Sequence, residues 1–525
     1  MSRVLAKVGK VFVAHQPGVR PRIDEISIQN YRAFPGTANL PIKIGGKNLL
    51  VHGENGAGKS SIFHALDHFF SMAAANAKVR SDFLVNQTNI YSLDGADKTA
   101  VSIKFVGGDP IDWTEESHPV DLSIYPSVQD GAYRKAMLDY RALLNVNFKF
   151  LGKQINLFPA FVDVLLRDMA VPYAGKPREL SLMWRRLLRE FGKYHFERRR
   201  DSMDGMMRAI NEAIDLMLPP LKEETNRLLK ALRWDDLEIE DFYFSHLGCN
   251  WGLARPNRKI RNQKITFDLK QRGEEIDEPH DVLNEARQSG LAIALYLAGR
   301  LLMSKTMQIE TPKLMVLDDV LIGLDQSNRL PVLELLNKEF ADWQIILLTH
   351  DRVWFEMARA ILPETGDQAW SILELFEGVD PTGINRPIQR GHNMDQVADN
   401  LAIAEGFLAN NHDNAAAVHT RMAFEQALKK FCEKRGVPVA FKANPKELKT
   451  EDLLNAIDAW LVEPKSLAKR AAKKVALDPL LQNARASQRV ILNPYSHSTP
   501  VTLAKGEVQS AINAVRALSD EFRKK

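Results

Sequence analysis

The octapeptide Gly53-Glu54-Asn55-Gly56-Ala57-Gly58-Lys59-Ser60 meets the spacing G-x-x-x-x-G-K-[ST] at every fixed position. Its chemistry is the binding of phosphate. The glycines let the backbone turn tightly, so that successive N–H groups point inward at phosphate oxygens. A helix starting beside Lys59 adds the positive end of its dipole. The Lys59 ammonium can reach β- and γ-phosphates, and the Ser60 hydroxyl is placed to ligate Mg2+. A glycine-rich turn without function would need no strand before it and no helix after it.

Such a site also requires a carboxylate on a neighbouring strand to hold the metal. Leu314-Met315-Val316-Leu317-Asp318-Asp319 supplies it: four apolar residues for a buried strand, then two acids at its carboxyl end. Asp318 is the candidate to bind Mg2+ through water. Asp319 is the candidate to orient or deprotonate an attacking water. An ordinary strand end with solvated acids is the plain alternative.

The elements that must carry these residues are legible around them. Ile23–Ile28 alternates apolar and polar residues, and Asn48–His52 is a short apolar run ending at a glycine; both read as strands. Ser60–Phe70 has apolar residues at helical spacing, and Val101–Val106 is a further strand. Leu180–Phe196 and Met203–Leu232 read as helices dense in Arg, Lys and Glu. Strand character returns at Lys264–Leu269, a helix follows from Asn284, and buried strands follow at Lys313–Leu317 and Ile345–Leu348. The fold class is therefore α/β, interrupted by a mainly helical insertion and followed by an all-α region. The expected bounds are a leader at 1–20, two lobes at 21–120 and 261–380, the insertion at 121–260, a linker at 381–396 and a helical domain at 397–525.

Composition narrows the setting. The chain has 525 residues, 45% of them apolar and 26% charged, which excludes general disorder. A formal charge of +4 is too mild to imply a nucleic-acid partner by itself. Two cysteines, Cys249 and Cys432, cannot build a disulfide framework. No apolar run approaches the ~18 to 20 residues that span a bilayer. A cytoplasmic protein with no membrane partner is expected.

The order GENGAGKSS, LNEARQSGLAIALYLA, LMVLDDVLIGLD and IILLTHD resembles the ABC-type ATPases of the SMC/RecF branch. Asn284 precedes Asp318 by 34 residues and Asp319 precedes His350 by 31, intervals similar to those between signature, Walker B and switch motifs in that branch. The resemblance implies ATP and Mg2+ as ligands and ATP hydrolysis as the activity. It implies nucleotide contacts from Gly53, Asn55, Gly56, Ala57, Gly58, Lys59, Ser60 and Ser61. His350 in LLTHD matches the switch histidine at the γ-phosphate, acting with Asp319. Asp325 in IGLD matches the D-loop, which crosses a dimer interface. Arg32 in QNYRAF matches an arginine near the nucleotide. Gln87 is the candidate for the Q-loop glutamine that touches the metal, and Asn86 serves a different register. A homodimer, or a larger assembly of dimers, follows from the same resemblance.

Two departures are informative. The family signature is Leu-Ser-Gly-Gly; here it is Leu283-Asn284-Glu285-Ala286-Arg287. Asn284 is a good helix N-cap and can still offer an amide to the γ-phosphate of another protomer, but the glycines that allow close backbone approach are gone. The second departure is Asp319 where most relatives have Glu. One methylene less retracts the carboxylate, which suits a slow switch better than a motor. The LNEAR, LDD and LTHDRVWFE stretches are similar to the defence-associated ATPases of Septu and RloC type, which implies a separately encoded nuclease or toxin effector.

SMC proteins carry coiled arms of several hundred residues, whereas fifty residues per arm would reach only about 75 Å here. The run Arg185, Arg186, Arg189, Lys193, Arg198, Arg199, Arg200 is either a DNA- or RNA-binding face or a solvated helix surface. Lys465, Lys469, Arg470, Lys473 and Lys474 present the same two readings. The C-terminal region resembles HEPN-type helical domains, some of which are RNases with an Arg, four to six residues and a His. Seven residues separate Arg489 from His497, and Pro494 interrupts the helix between them. Docking, oligomerisation and catalysis all remain open for it. Control of a nuclease or toxin partner, DNA repair of RecF/SMC type and an ATP-controlled RNase are the three functions this sequence admits.

Replacing Lys59 removes the main cationic partner of the phosphates in every one of these readings. Lys59→Ala should lose ATP binding, and equal ATP affinity in wild type and mutant by calorimetry would refute the assignment.

Overall fold

The computed structural model describes residues 19–36, 39–73, 77–91, 98–114, 128, 131, 135–143, 156–193, 196–254, 257–276, 282–305, 311–363, 366, 368–379, 384–391, 396–409, 412–440, 448–463, 467–487 and 505–524. The chain divides into two units, 1–390 and 391–525. The first unit begins with β1 (Ile23–Gln29), β2 (Ile42–Lys43), β3 (Asn48–Gly53), α1 (Lys59–Met72) and α2 (Ala77–Val85). It continues through β4 (Ala100–Phe105), β5 (Pro110–Thr114) and β6 (Ala136–Asp139), then β7 (Ala170–Tyr173), β8 (Lys176–Glu179), α3 (Leu180–Phe191) and α4 (Arg200–Ala231). Next come β9 (Leu237–Phe244), β10 (Gly248–Cys249), β11 (Ile260–Arg261), β12 (Ile265–Gln271), β13 (Glu274–Ile276) and α5 (Glu285–Ser304). It closes with β14 (Leu314–Asp318), α6 (Gln326–Glu339), β15 (Gln344–Thr349), α7 (Arg352–Ile361), β16 (Trp370–Val379) and β17 (Asn385–Gly391).

The site rests on a six-stranded sheet of order β17-β16-β3-β15-β14-β6. The β6, β14, β15, β3 and β16 pairings are all parallel. Strands β3, β14 and β15 are buried along their whole length, as apolar runs covered on both faces must be. Successive side chains divide between two cores. Val51, Val316, Ile346 and Leu348 pack with Ile62, Leu66 and Phe69 of α1. Leu50, Met315, Leu317, Ile345 and Leu347 face the other way, into a core shared with α4 and α5. Every residue of α5 from Gln288 to Arg300 is buried, which its all-round apolar sequence demands. An antiparallel sheet of order β2-β1-β4-β5 completes the first lobe.

The insertion differs from the expected helical arm. Its described residues include the β7–β8 hairpin and strand β9, which joins β12 and β13 in a three-stranded sheet. The apolar face of α4 (Met203, Met207, Ile210, Ile214, Leu221, Leu228) is spent on the same core as the sheet strands. The helix therefore lies on the body. Helix α3 ends at Phe191, short of the expected Phe196. The stretch read as a linker at 381–396 contains β17, with Pro387 tolerated because the strand is at the sheet edge.

Charged residues tie these layers together in the interior. Arg300 of α5 is 1% exposed and donates to Asp168 Oδ2 at 3.0 Å and to the carbonyls of Lys135 and Leu165. Arg167 bridges Asp168 at 3.1 Å and Asp67 of α1 at 3.4 Å, and Lys135 lies 3.5 Å from Asp67. Burial, reinforced by Asp168, pushes the nearby Glu179 carboxyl up to about 7.

The second unit is helical: α8 (Gln396–Ala409), α9 (Asp413–Arg435), α10 (Thr450–Leu461), α11 (Leu467–Ser487) and α12 (Lys505–Arg523). It has its own core, in which Phe424, Phe431, Leu454, Leu481 and Phe522 meet. Arg489 and His497 lie outside the described residues. Among the described residues no helix is long and apolar enough to cross a membrane, and both cysteines are free.

Gly290 shows how tightly α5 is held against the insertion. A β-carbon there would lie 1.6 Å from the buried Trp234 ring. Alanine gains about 1 kcal/mol of helix propensity over glycine, less than overpacking against a rigid indole costs. Gly290→Ala should lower unfolding stability by about 2 kcal/mol or more; an unchanged denaturation midpoint would contradict the packing described.

Candidate nucleotide site

The loop after β3 turns through two left-handed glycines, Gly56 at φ 93° and Gly58 at φ 97°. Gly58 is required twice over, since a β-carbon there would also meet Pro387 at 2.8 Å and Phe34 at 3.4 Å. Ala57 is buried beneath the loop, while Glu54, Asn55 and Gly56 are exposed on it. Lys59 is buried at the start of α1, and its Nζ donates to Gly53 O at 2.7 Å and Glu54 O at 3.1 Å. Burial lowers its pKa, with Asp319 and Asp318 acting in the opposite sense. An ammonium held by carbonyls alone, at the start of a helix after a glycine-rich loop, is a fitting receptor for a polyphosphate.

Asp318 ends β14 beside this loop. Burial raises its pKa to about 6, opposed by a hydrogen bond from Ser60 and helped by the charge of Asp319. Its Oδ1 is buried without a hydrogen-bond partner. That orphaned oxygen next to the Ser60 hydroxyl fits a divalent cation. Among the described residues no three or more His, Cys, Asp or Glu gather around a metal position. Few protein ligands suit Mg2+, which keeps several waters and takes its remaining ligands from phosphate. Ser60 and Asp318 would hold it, and its chemistry would be neutralisation of charge on the phosphates.

Asp319 adopts the left-handed region at φ 57°, uncommon for a residue with a β-carbon. Its N–H donates to Leu348 O at 2.9 Å. The turn aims the carboxylate at the end of β15, where Oδ1 accepts from His350 N–H at 2.9 Å and Oδ2 lies 3.1 Å from His350 Nδ1. The short acid is thus locked to the switch loop, with the His350 ring itself exposed.

The structure brings Arg32 and Gln87 together. Arg32 is exposed at φ 49°, its Nη1 donating to Gln87 Oε1 at 3.1 Å and its N–H to Gln87 O at 2.8 Å. Gln87 follows α2. The acid that ends a core strand beside Asp318 is Asp139, at the end of β6 and in register with it. Sequence reasoning missed it because Ala136–Asp139 is too short a run to separate from its surroundings. Ser61 is buried, and its hydroxyl accepts from Ala33 N–H at 3.3 Å. It ties the Arg32 loop to α1.

A second missed residue is Glu377. It lies on β16, and its Oε2 is 3.2 Å from where a β-carbon on Gly56 would be. Asn385 of β17 donates to its other oxygen. Together with Pro387 it covers the phosphate loop from the sheet edge, in the stretch read from sequence as a linker. Asn284 and Asp325 are exposed on other elements. Asn284 Oδ1 caps α5, accepting from Arg287 N–H at 3.0 Å, and Arg287 pairs with Asp236 at 2.8 Å. Asp325 stands at the N-cap of α6 without spending its side chain on the cap.

This parallel sheet with a P-loop, a paired-acid strand end and a histidine after the neighbouring strand has the make-up of a P-loop ATPase of ABC type. Residues 22–367 match the RecF/RecN/SMC N terminal domain, and the chain belongs to that family. It is an SMC/RecF-like ATPase domain, a class that binds ATP with Mg2+ and hydrolyses it. Residues 391–525 lie outside the match. Similar solved structures include an SMC head bound to the C-winged helix domain of ScpA, at 12% identity and a TM-score of 0.37. The similarity covers 71% of this chain and 99% of that one. A second is an SMC head domain with an extended coiled coil bound to the C-terminal domain of ScpA, derived from Pyrococcus furiosus. It has 10% identity, a TM-score of 0.36 and coverage of 74% and 99%. No curated protein matches the chain.

The sequence expectation is that the Asp319 carboxylate handles the attacking water. Asp319→Asn can still accept from His350 N–H, so ATP binding should persist while turnover falls by roughly 10² or more. Calorimetry and steady-state hydrolysis check this together; unchanged turnover would move the role elsewhere.

Proposed function

We propose that this chain is an ATP-driven switch that closes as a head-to-tail homodimer and controls a nuclease or toxin partner in anti-phage defence. The observation that carries the dimer is the exposure of Asn284 and Asp325. Both stand at helix N-termini, and the Asp325 carboxylate is unspent on its own cap. Residues so placed complete a nucleotide site only across a chain boundary. A dimer would set Asn284 and Asp325 of one protomer against the phosphates held by Lys59 and Ser60 of its partner. Within each site Lys59 binds the phosphates, Ser60 and Asp318 hold the metal, Asp319 positions or deprotonates water, and His350 senses the γ-phosphate. The Asp319–His350 lock supports slow turnover, hence a switch. The defence role rests on the resemblance of the LNEAR, LDD and LTHDRVWFE stretches to defence ATPases.

A second reading, direct binding of DNA as in RecF- or SMC-type repair, is favoured by Arg185, Arg189 and Arg198, all exposed on the insertion. Binding that weakens steeply with salt would support it. The third, RNA cleavage by Arg489 and His497, rests on sequence alone.

Complementation tests the shared site. Lys59→Ala and Asn284→Ala chains should each be inactive, while their co-expressed heterodimer regains turnover, since one composite site carries both lesions and the other neither. A verified heterodimer no more active than its parents, or full activity from a monomer at nanomolar concentration, would refute the arrangement.

A further inference from the structure

Arg329, on the first turn of α6, is buried, and its planar fork is fully engaged. Nε donates to Leu324 O at 2.8 Å and Nη2 to Ile322 O at 3.3 Å. Both acceptors belong to the loop that carries Asp325. The remaining arm, Nη1, donates to Asp351 Oδ2 at 2.5 Å. Asp351 is the residue directly after His350, and it is fixed in turn. Its N–H donates to Thr349 Oγ1 at 3.1 Å, and its Oδ1 caps α7 by accepting from Trp354 N–H at 3.0 Å.

Close packing does not join these two loops. A cavity lies between them, lined by Asp319, Ile322, Arg329, Thr349 and Trp354 among others, with room for about one water. The buried Trp354 indole N–H has no partner there. The Arg329 fork therefore spans the gap, and a buried guanidinium is tolerated because each arm is paired. On the far side, Gly323 sits against Ser289 of α5, whose Oγ would be 2.6 Å from a β-carbon on the glycine. The loop that Arg329 grips is thus also seated on the Asn284 helix.

We propose that Arg329 is a positioning residue for ATP hydrolysis: it sets the Asp325 loop and the His350 loop at one fixed separation. This inference rests on the dimer reading above. In it, His350 and Asp319 serve the protomer's own nucleotide while Asp325 serves its partner's, so Arg329 relates the two sites of a dimer. It touches neither nucleotide nor metal. Lysine cannot replace it, because one ammonium cannot meet two carbonyls and a carboxylate in a plane.

The test uses the full-length protein and two mild variants. Arg329→Lys keeps a cation for Asp351, and Asp351→Asn keeps the α7 cap while losing the ion pair. Each should lower kcat by about tenfold or more with ATP affinity held within about threefold. Because they cut one connection, the double variant should be no slower than the slower single. Unchanged kcat in Arg329→Lys would overturn the inference. So would additive losses in the double variant, or a fall in ATP affinity and melting temperature that accounts for the lost rate. Wild-type protein that failed to hydrolyse ATP would strike the functional reading itself, a result separable from an active wild type with an equally active Arg329→Lys.

Discussion

The pairing of Arg300 with Asp168 inside the first unit is the constraint on which the rest depends. A guanidinium removed from water is costly unless it is paired, and here one carboxylate and two carbonyls engage its two Nη atoms while Nε is left without a partner. Asp168 comes from the insertion, and Arg167 beside it reaches Asp67 on the helix that follows the phosphate loop. The P-loop helix, the insertion and α5 are therefore bound by charges that none can leave without stranding another. Burying one charge unpaired costs several kcal/mol, so the three elements keep one relative placement. The helix after the glycine loop and the helix capped by Asn284 are thus joined through one network of buried charges.

Around that frame the site stores strain where it acts. Asp319 holds a left-handed backbone that costs of order 1 kcal/mol or more for a residue with a side chain, offset by its bonds to Leu348 and His350. The consequence is direction: the carboxylate faces the switch loop rather than continuing along β14. The short acid fits this lock.

The insertion changes what kind of SMC/RecF relative this is. Helix α4, 32 residues long, would extend about 48 Å if it projected. It instead lies against α5 and β9, burying its methionines and leucines in the shared core. Bulk over the body replaces reach.

The glycine loop between β3 and α1, the buried strand ending in Asp318 and the strand before His350 were legible in the sequence because each is local. A G-x-x-x-x-G-K-S run makes its own receptor from backbone it already contains, and an apolar run ending in Asp-Asp marks a buried strand and its exit. Strands β3, β14 and β15 follow for the same reason, because complete burial demands unbroken apolar runs, and the half-buried β1 follows from its alternation. Asp139, Glu377 and the Arg329 fork were not legible. Each owes its position to pairing between segments distant in the chain, and no periodicity within those segments encodes a partner. The expected arm failed likewise, because an amphipathic helix states that one face is buried but not against what. Local backbone chemistry is written in consecutive residues; the partner of a buried face or charge exists only once the chain has folded.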